Sequence, residues 1–284
     1  MFSIIGPGGV GGVLAVLAKK SGLDVEVVAT PATAAVINER GLELSSAQFG
    51  NAVVRVDART EPSPGSSIII ATKSYSLPDI EDTVARSRPK EVLTLFNGLA
   101  HVERVHELPA PRVTCGSIRI VAERVAPGKI LHHSTFTVVE VEDAAADWEV
   151  TGMLTQSGIE VQLGGGEMDV LWRKLRFLAP MALLTASTGL PLGPACQGGD
   201  ALIAEVAAIA SASGLLTQPE QIKASLAKVA PDSSSSLARD VESGSRTELD
   251  ALGYDLIRRG QAAGIPVPAL EAAVNRIEAR VASC

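Results

Sequence analysis

Phe2-Ser3-Ile4-Ile5-Gly6-Pro7-Gly8-Gly9-Val10-Gly11 opens the chain. Phe2–Ile5 reads as a strand, and Gly6, Gly8 and Gly11 that follow it have the spacing GxGxxG. Val10–Lys20 then reads as a helix and Val25–Ala29 as a second strand. In that setting each glycine has a physical task. Gly6 permits a tight turn, Gly8 lets the backbone approach a pyrophosphate, and Gly11 lets helix and strand pack closely. N–H groups at the helix start, Gly9 and Val10 among them, are donors for phosphate oxygens. The stretch predicts a dinucleotide-binding Rossmann domain. An acidic residue for a ribose hydroxyl is expected about 20 residues further on. Ala29-Thr30 hold that place, with neither acid nor arginine, so NAD and NADP both stay open there.

Outward from this loop the pattern repeats. A helix near Ala32–Arg40 is followed by a strand at Ile68–Ala71, a helix near Leu77–Ala85 and a strand at Val92–Phe96. Strands alternating with crossover helices predict a parallel α/β sheet, and continuous apolar strands suit a sheet covered on both faces. Thr114–Val141 reads as extended segments around the turn Ala126-Pro127-Gly128. Asp147–Gln156 then reads as helical and Glu160–Leu163 as extended, up to the run Gly164-Gly165-Gly166. Beyond it the pattern is helical, with breaks at Gly189–Gly199, Thr217–Pro219 and Pro231–Ser236. The expected fold is α/β, with an N-terminal Rossmann domain over residues 1–165 that binds NAD(P). A C-terminal all-helical domain over residues 166–284 is expected to serve substrate binding and dimerisation.

The bulk numbers narrow the function. A net charge of −7 over 284 residues argues against nucleic acid or an anionic membrane as partner. Aromatic residues make up 3% of the chain, too few for base-stacking platforms. Cys115, Cys196 and Cys284 are far apart and read as reduced thiols of a cytoplasmic protein. His101, His106, His132 and His133 form no metal-binding spacing. The first residues lack the pattern of a signal peptide. Leu175–Ala195 is apolar but contains Arg176, Pro180, Pro191 and Pro194, which predicts a buried core helix and not a membrane span.

Within that helix one residue stands out. On a period of about 3.6 residues, Asp169, Arg173 and Arg176 share a face, and the two arginines read as solvated charges. Lys174 falls opposite, among Val170, Leu171, Phe177 and Leu178. An unpaired ammonium is costly to bury. Either its stem snorkels to water or it faces a ligand as a catalytic cation. Carbonyl reduction needs such a group, because the alkoxide that forms requires positive charge and then a proton. Glu248 has two compatible readings: a site residue, or the third helical position of a capping box in Ser245-Arg246-Thr247-Glu248. The serines Ser233–Ser236 read as a cap for the helix after them.

Several segments together resemble the ketopantoate reductase (2-dehydropantoate 2-reductase) family. They are GPGGVG at the N-terminus, ATK ending at Lys73, FNGL around Asn97, AERVAPG at 122–128 and WRKL around Lys174. SSLARDVESG at 235–244, TELD at 247–250 and GIPVP at 264–268 complete the set, which runs over nearly the whole chain. The resemblance implies an NADPH-dependent reductase of a 2-oxo acid, with NADH not excluded, acting in pantothenate biosynthesis. It implies Lys174 as general acid and Asn97 as a contact of both nicotinamide and substrate. Ser236 and Glu248 would bind the substrate's carboxylate and hydroxyl ends, with Glu248 also a catalytic residue beside Lys174, and Lys73 the ribose phosphate. A homodimer is among the expectations. Three positions depart from the family pattern: Leu178 and Ala182 stand where asparagines are usual, and Thr30 where arginine is. Leucine and alanine cannot bond a substrate hydroxyl, which points to a more apolar 2-oxo acid. The alternative is a non-catalytic dinucleotide-binding redox sensor of the same fold.

Overall fold

The structure, a computed structural model, describes residues 1–283. Two compact units divide the chain: Met1–Phe96 with His101–Val170, and Asn97–Ala100 with Leu171–Cys284. The division falls at Val170/Leu171, inside a helix, where the glycine run had suggested 165/166. Asn97–Ala100 counts with the second unit although it lies within the first in sequence.

The first unit begins with β1 (Phe2–Ile5), α1 (Gly9–Lys20), β2 (Val25–Val28) and α2 (Pro31–Arg40). Three strands follow that the sequence reading passed over: β3 (Leu42–Ser46), β4 (Ala52–Val54) and β5 (Asp57–Arg59). They are three to five residues long, near the lower limit of what alternation alone can signal. Then come β6 (Ser67–Ile70), α3 (Leu77–Ser87), β7 (Glu91–Thr94), α4 (Val102–His106), β8 (Arg112–Cys115) and β9 (Ser117–Arg119). The hairpin of β10 (Ala122–Ala126) and β11 (Lys129–His132) turns at Pro127-Gly128, as its residues predict. β12 (Val138–Val141), α5 (Glu149–Gln156) and β13 (Glu160–Leu163) close the unit.

Among the described residues these strands form three sheets. The largest has the order β5-β2-β1-β6-β7-β8, and its neighbouring pairs are all parallel. Counted along the chain its strands run 3-2-1-4-5-6, the doubly wound order whose reversal lies between β1 and β6. Its central strands β2, β6 and β7 are buried along their whole length, as a sheet covered on both faces requires. A carboxylate inside such a sheet needs full partnering. Glu26, 1% exposed, accepts from Ser3 Oγ (2.6 Å), Ser63 N (2.6 Å) and Ser63 Oγ (2.7 Å), with Arg59 Nε 3.8 Å away. The extended region 114–141, read as one block, is in fact shared among all three sheets. One is the four-stranded β10-β11-β3-β4 and one the three-stranded β13-β12-β9.

The second unit is helical. It takes most of α6 (Glu167–Thr188), then α7 (Leu192–Ala195), α8 (Asp200–Ala212), α9 (Pro219–Leu226) and α10 (Ser236–Glu242). A π-helical turn at Asp250–Tyr254 leads into α11 (Asp255–Ala262), and α12 (Pro268–Val281) ends the unit. Trp172, Leu175 and Leu183 of α6, Val206 and Ile209 of α8, and Leu270 and Val274 of α12 are buried. Caps fix where the helices begin. Ser235 Oγ accepts from Ala238 N at 3.0 Å, which bears out the capping role read for the serine run. Both Glu205 oxygens take N–H groups at the start of α12, from Ala269 and Leu270 at 2.8 Å. No helix among the described residues is long and apolar enough to cross a membrane.

The four-stranded sheet sits close to α1 through glycines. A Cβ on Gly9 would lie 2.5 Å from the Ala122 carbonyl oxygen and 2.7 Å from its carbon, both backbone of β10. A Cβ on Gly12 would lie 2.5 Å from Ile130 Cγ1, a side-chain atom that can rotate away. Gly9→Ala is therefore expected to destabilise the protein by about 1–3 kcal/mol, the usual range for overpacking, and Gly12→Ala by less. Thermal unfolding followed by circular dichroism checks the order. Equal melting temperatures would show that β10 yields as easily as a side chain.

Candidate active site

The loop after β1 and the loop after β6 meet at the reversal of strand order, where doubly wound sheets bind ligands. Gly6 has φ +86°, and a Cβ there would run into Thr72 Cγ2. A Cβ on Gly11 would run into the Gly6 carbonyl oxygen and lie 3.2 Å from Ala71 Cβ. Over Gly8 the space is open, the nearest atom to a Cβ being the Gly6 oxygen at 4.0 Å. The three glycines thus differ as GxGxxG requires: one turns, one leaves room, one packs. Gly8 precedes α1, whose first turn holds no acidic residue, and Val10 beside it is half-buried. Thr72 Oγ1 is buried without a hydrogen-bond partner. An open glycine, an uncancelled helix start and an orphaned hydroxyl on the facing loop fit the pyrophosphate of a nicotinamide dinucleotide.

Lys73 follows at once, half-buried, ahead of the short turn Ser74–Ser76. Thr30 is exposed at the start of α2, and its hydroxyl donates to Thr33 Oγ1 at 3.1 Å. The first turn of α2 carries no acid, so nothing there repels a phosphate on the ribose.

The second unit gathers three of the residues singled out in the sequence. Lys174 Nζ donates to Asn97 Oδ1 at 2.8 Å, and Asn97 Nδ2 donates to Glu248 Oε2 at 3.1 Å. An ammonium only donates and a carboxylate only accepts, so the amide between them has one possible orientation. Glu248 is 4% exposed, and Lys174 and Asn97 are half-buried. Leu178, one turn after Lys174 on the same face, is half-buried too. Ser236, first residue of α10, is half-buried and lies outside this chain of bonds. The preceding Ser235 is tied to α6 instead, accepting from Thr185 Oγ1 at 2.8 Å.

Three expectations change here. Glu248 is not the third helical position of a capping box: the helix starts at Leu249, and the Glu248 carboxylate turns to Asn97. Arg176 is not an ordinary solvated charge. It donates to Thr217 Oγ1 at 3.3 Å, and burial, with Arg173 beside it, holds its guanidinium below the usual arginine range. Ala182 is 1% exposed, so its methyl is covered by protein and only Leu178 of the two departures offers surface. Two contributors went unread. Thr72 carries no signal beyond lying next to Lys73. Gly98 (φ +82°) had one in the dipeptide Asn-Gly after a strand.

Two further titratable groups are shifted by burial. Burial, then the Glu167 carboxylate, pushes the Cys115 thiol far above its ordinary value. Burial lowers His132, which is held by Ser46 (2.8 Å) and Ser134 (2.9 Å). Cys115 and Cys196 are free thiols, and Cys284 lies outside the described residues. No cluster of metal-ligating residues occurs among the described residues.

Comparison with known proteins bears on the fold and the family. The family profile described as "Ketopantoate reductase PanE/ApbA" matches residues 2–145, and "Ketopantoate reductase PanE/ApbA C terminal" matches residues 168–281. The chain is 31% identical to a 2-dehydropantoate 2-reductase of Caulobacter vibrioides, over 94% of each chain. A crystal structure of a PanE/ApbA family ketopantoate reductase from Ralstonia eutropha superposes with a TM-score of 0.89 at 26% identity, covering 100% of this chain and 99% of that one. A D-mandelate dehydrogenase, solved with NADH and anilino(oxo)acetate, shares the fold at a TM-score of 0.86 and 19% identity, covering 100% and 99%. With both halves matched and a relative similar from end to end, the chain belongs to the ketopantoate reductase family of oxidoreductases.

Proposed function

We propose that this chain reduces a 2-oxo acid to the 2-hydroxy acid with NADPH, and that Lys174 is the proton donor. The observation that carries the reading is the bonded series Lys174–Asn97–Glu248, with bonds of 2.8 and 3.1 Å. When bound, the reduced nicotinamide supplies a hydride to the carbonyl carbon. Lys174 then gives one ammonium proton to the carbonyl oxygen as negative charge builds there, and is left as an amine that solvent reprotonates. Asn97 holds one of the three N–H bonds of that ammonium and so orients it. Glu248 accepts from the amide on its far side and so fixes which way it faces. Gly6, Gly8, Gly9, Val10 and Gly11 take the pyrophosphate, and Ser236 the substrate carboxylate. Lys174→Ala is expected to keep the fold and lower kcat by about 10²–10⁴-fold. An unchanged kcat with a raised KM would make Lys174 a binding contact only.

Lys73 stands on the loop after β6, where a cation reaches a 2′-phosphate, and α2 opposes that phosphate with no acid. kcat/KM with NADPH should exceed that with NADH, and Lys73→Ala should remove most of the difference. A wild-type preference for NADH of about tenfold would reverse the assignment.

The substrate follows from Leu178. An asparagine there would bond a hydroxyl, worth about 0.5–1.5 kcal/mol. The leucine instead offers half-buried apolar surface. The anilino(oxo)acetate bound by the D-mandelate dehydrogenase is likewise an oxo acid with a bulky apolar group. We therefore expect slow turnover of 2-dehydropantoate and a higher kcat/KM for a branched or aromatic 2-oxo acid without the hydroxyl. Leu178→Asn should move the ratio back. Ala182 is left alone, since asparagine at a covered site would overpack. A wild-type preference for 2-dehydropantoate of about a hundredfold over every apolar analogue would sink this assignment of Leu178.

A further inference from the structure

Two residues after Glu248 the chain enters its π-helical turn, Asp250–Tyr254, in which the Asp255 N–H reaches back to the Asp250 carbonyl. Such turns are rare, usually single, and frequent at functional sites. An extra residue in a helix rotates everything beyond it by about 100° relative to what precedes. Here two demands on one stretch of chain are reconciled. Before the turn Glu248 must face Asn97; after it Leu256 (0% exposed) and Gly260 of α11 must face the helical core.

The turn is also clamped. A Cβ on Gly98 would lie 2.5 Å from the Ala251 carbonyl oxygen and 3.0 Å from Ala251 Cβ, so the backbone next to Asn97 rests directly on the turn. Gly98 has φ +82°, a conformation that other residues adopt only with strain. On the opposite side, a Cβ on Gly253 would lie 2.7 Å from Val274 Cγ2 of α12. The segment that carries Asn97 and the segment that follows Glu248 are thereby held at one separation.

We propose that Gly98 and the π-helical turn at Asp250–Tyr254 are a positioning device for the proton donor, seating Asn97 so that its amide spans Glu248 and Lys174. The proposal rests on Lys174 as donor. Gly98 and Ala251 act through Asn97 and are positioning residues.

The test compares Gly98→Ala and Ala251→Gly with Gly189→Ala, a control at another positive φ (+68°) packed against the Arg280 guanidinium. Gly98→Ala should lower kcat by about tenfold or more, while KM for the oxo acid and Kd for NADPH stay within about threefold. Ala251→Gly removes one methyl group, should fold, and should give the same pattern at a few-fold. Gly189→Ala should lower Tm and leave kcat alone. A folded Gly98→Ala that loses Tm but keeps wild-type kcat overturns the proposal; if it does not fold, Ala251→Gly decides by the same criterion. Lys174→Ala, measured alongside, separates the two readings. If it keeps kcat, the donor assignment fails and the positioning role with it; if it loses kcat while the deciding variant keeps it, the positioning role alone fails.

Discussion

A carboxylate that is almost wholly buried must be matched to a donor, and Glu248 finds its match in the side chain of Asn97, 151 residues away in sequence. That bond constrains much else in the helical unit. Lys174 occupies the other end of the amide, which only a side chain with both a donor and an acceptor can bridge. Aspartate at position 97 would oppose two carboxylates, and leucine would remove both bonds of the amide. The helix that bears Lys174 is therefore held by polar bonding as well as apolar packing, at Lys174 and again at Thr185.

The Rossmann half was readable because its signals are steric. Gly6 and Gly11 stand where a Cβ has no room, and Gly8 where room is left over, so three positions encode turn, packing and access. The central strand β6, buried on both faces, appears as the unbroken apolar run Ile68–Ile70. The strands β3, β4 and β5 lack such runs, since they are short and partly exposed. Their place follows from pairing with distant segments, β3 with β11 and β5 with β2, which local periodicity does not contain.

In the candidate site the division is similar. Lys174 announced itself as an ammonium among apolar residues. Glu248 was ambiguous because Ser245-Arg246-Thr247-Glu248 has the spacing of a cap, while the competing partner lies far off in the chain. The tertiary bond prevails, and the helix begins at Leu249 without the cap. Arg176 misled for the same reason: its helical face reads as solvated, but Thr217 and its surroundings cover it in part.

The helical unit is discontinuous, since Asn97–Ala100 belongs to it while the segments on either side belong to the other unit. A gene cut at the glycine run 164–166 would sever it through its polar centre. The downstream fragment would keep Lys174 and Glu248 but lack the amide bonded to both. The four residues act as a graft: one unit's polar centre is encoded inside the stretch that encodes the other. A transplant of the helical unit onto another first half needs an Asn-Gly turn at the same place to restore both bonds of the amide.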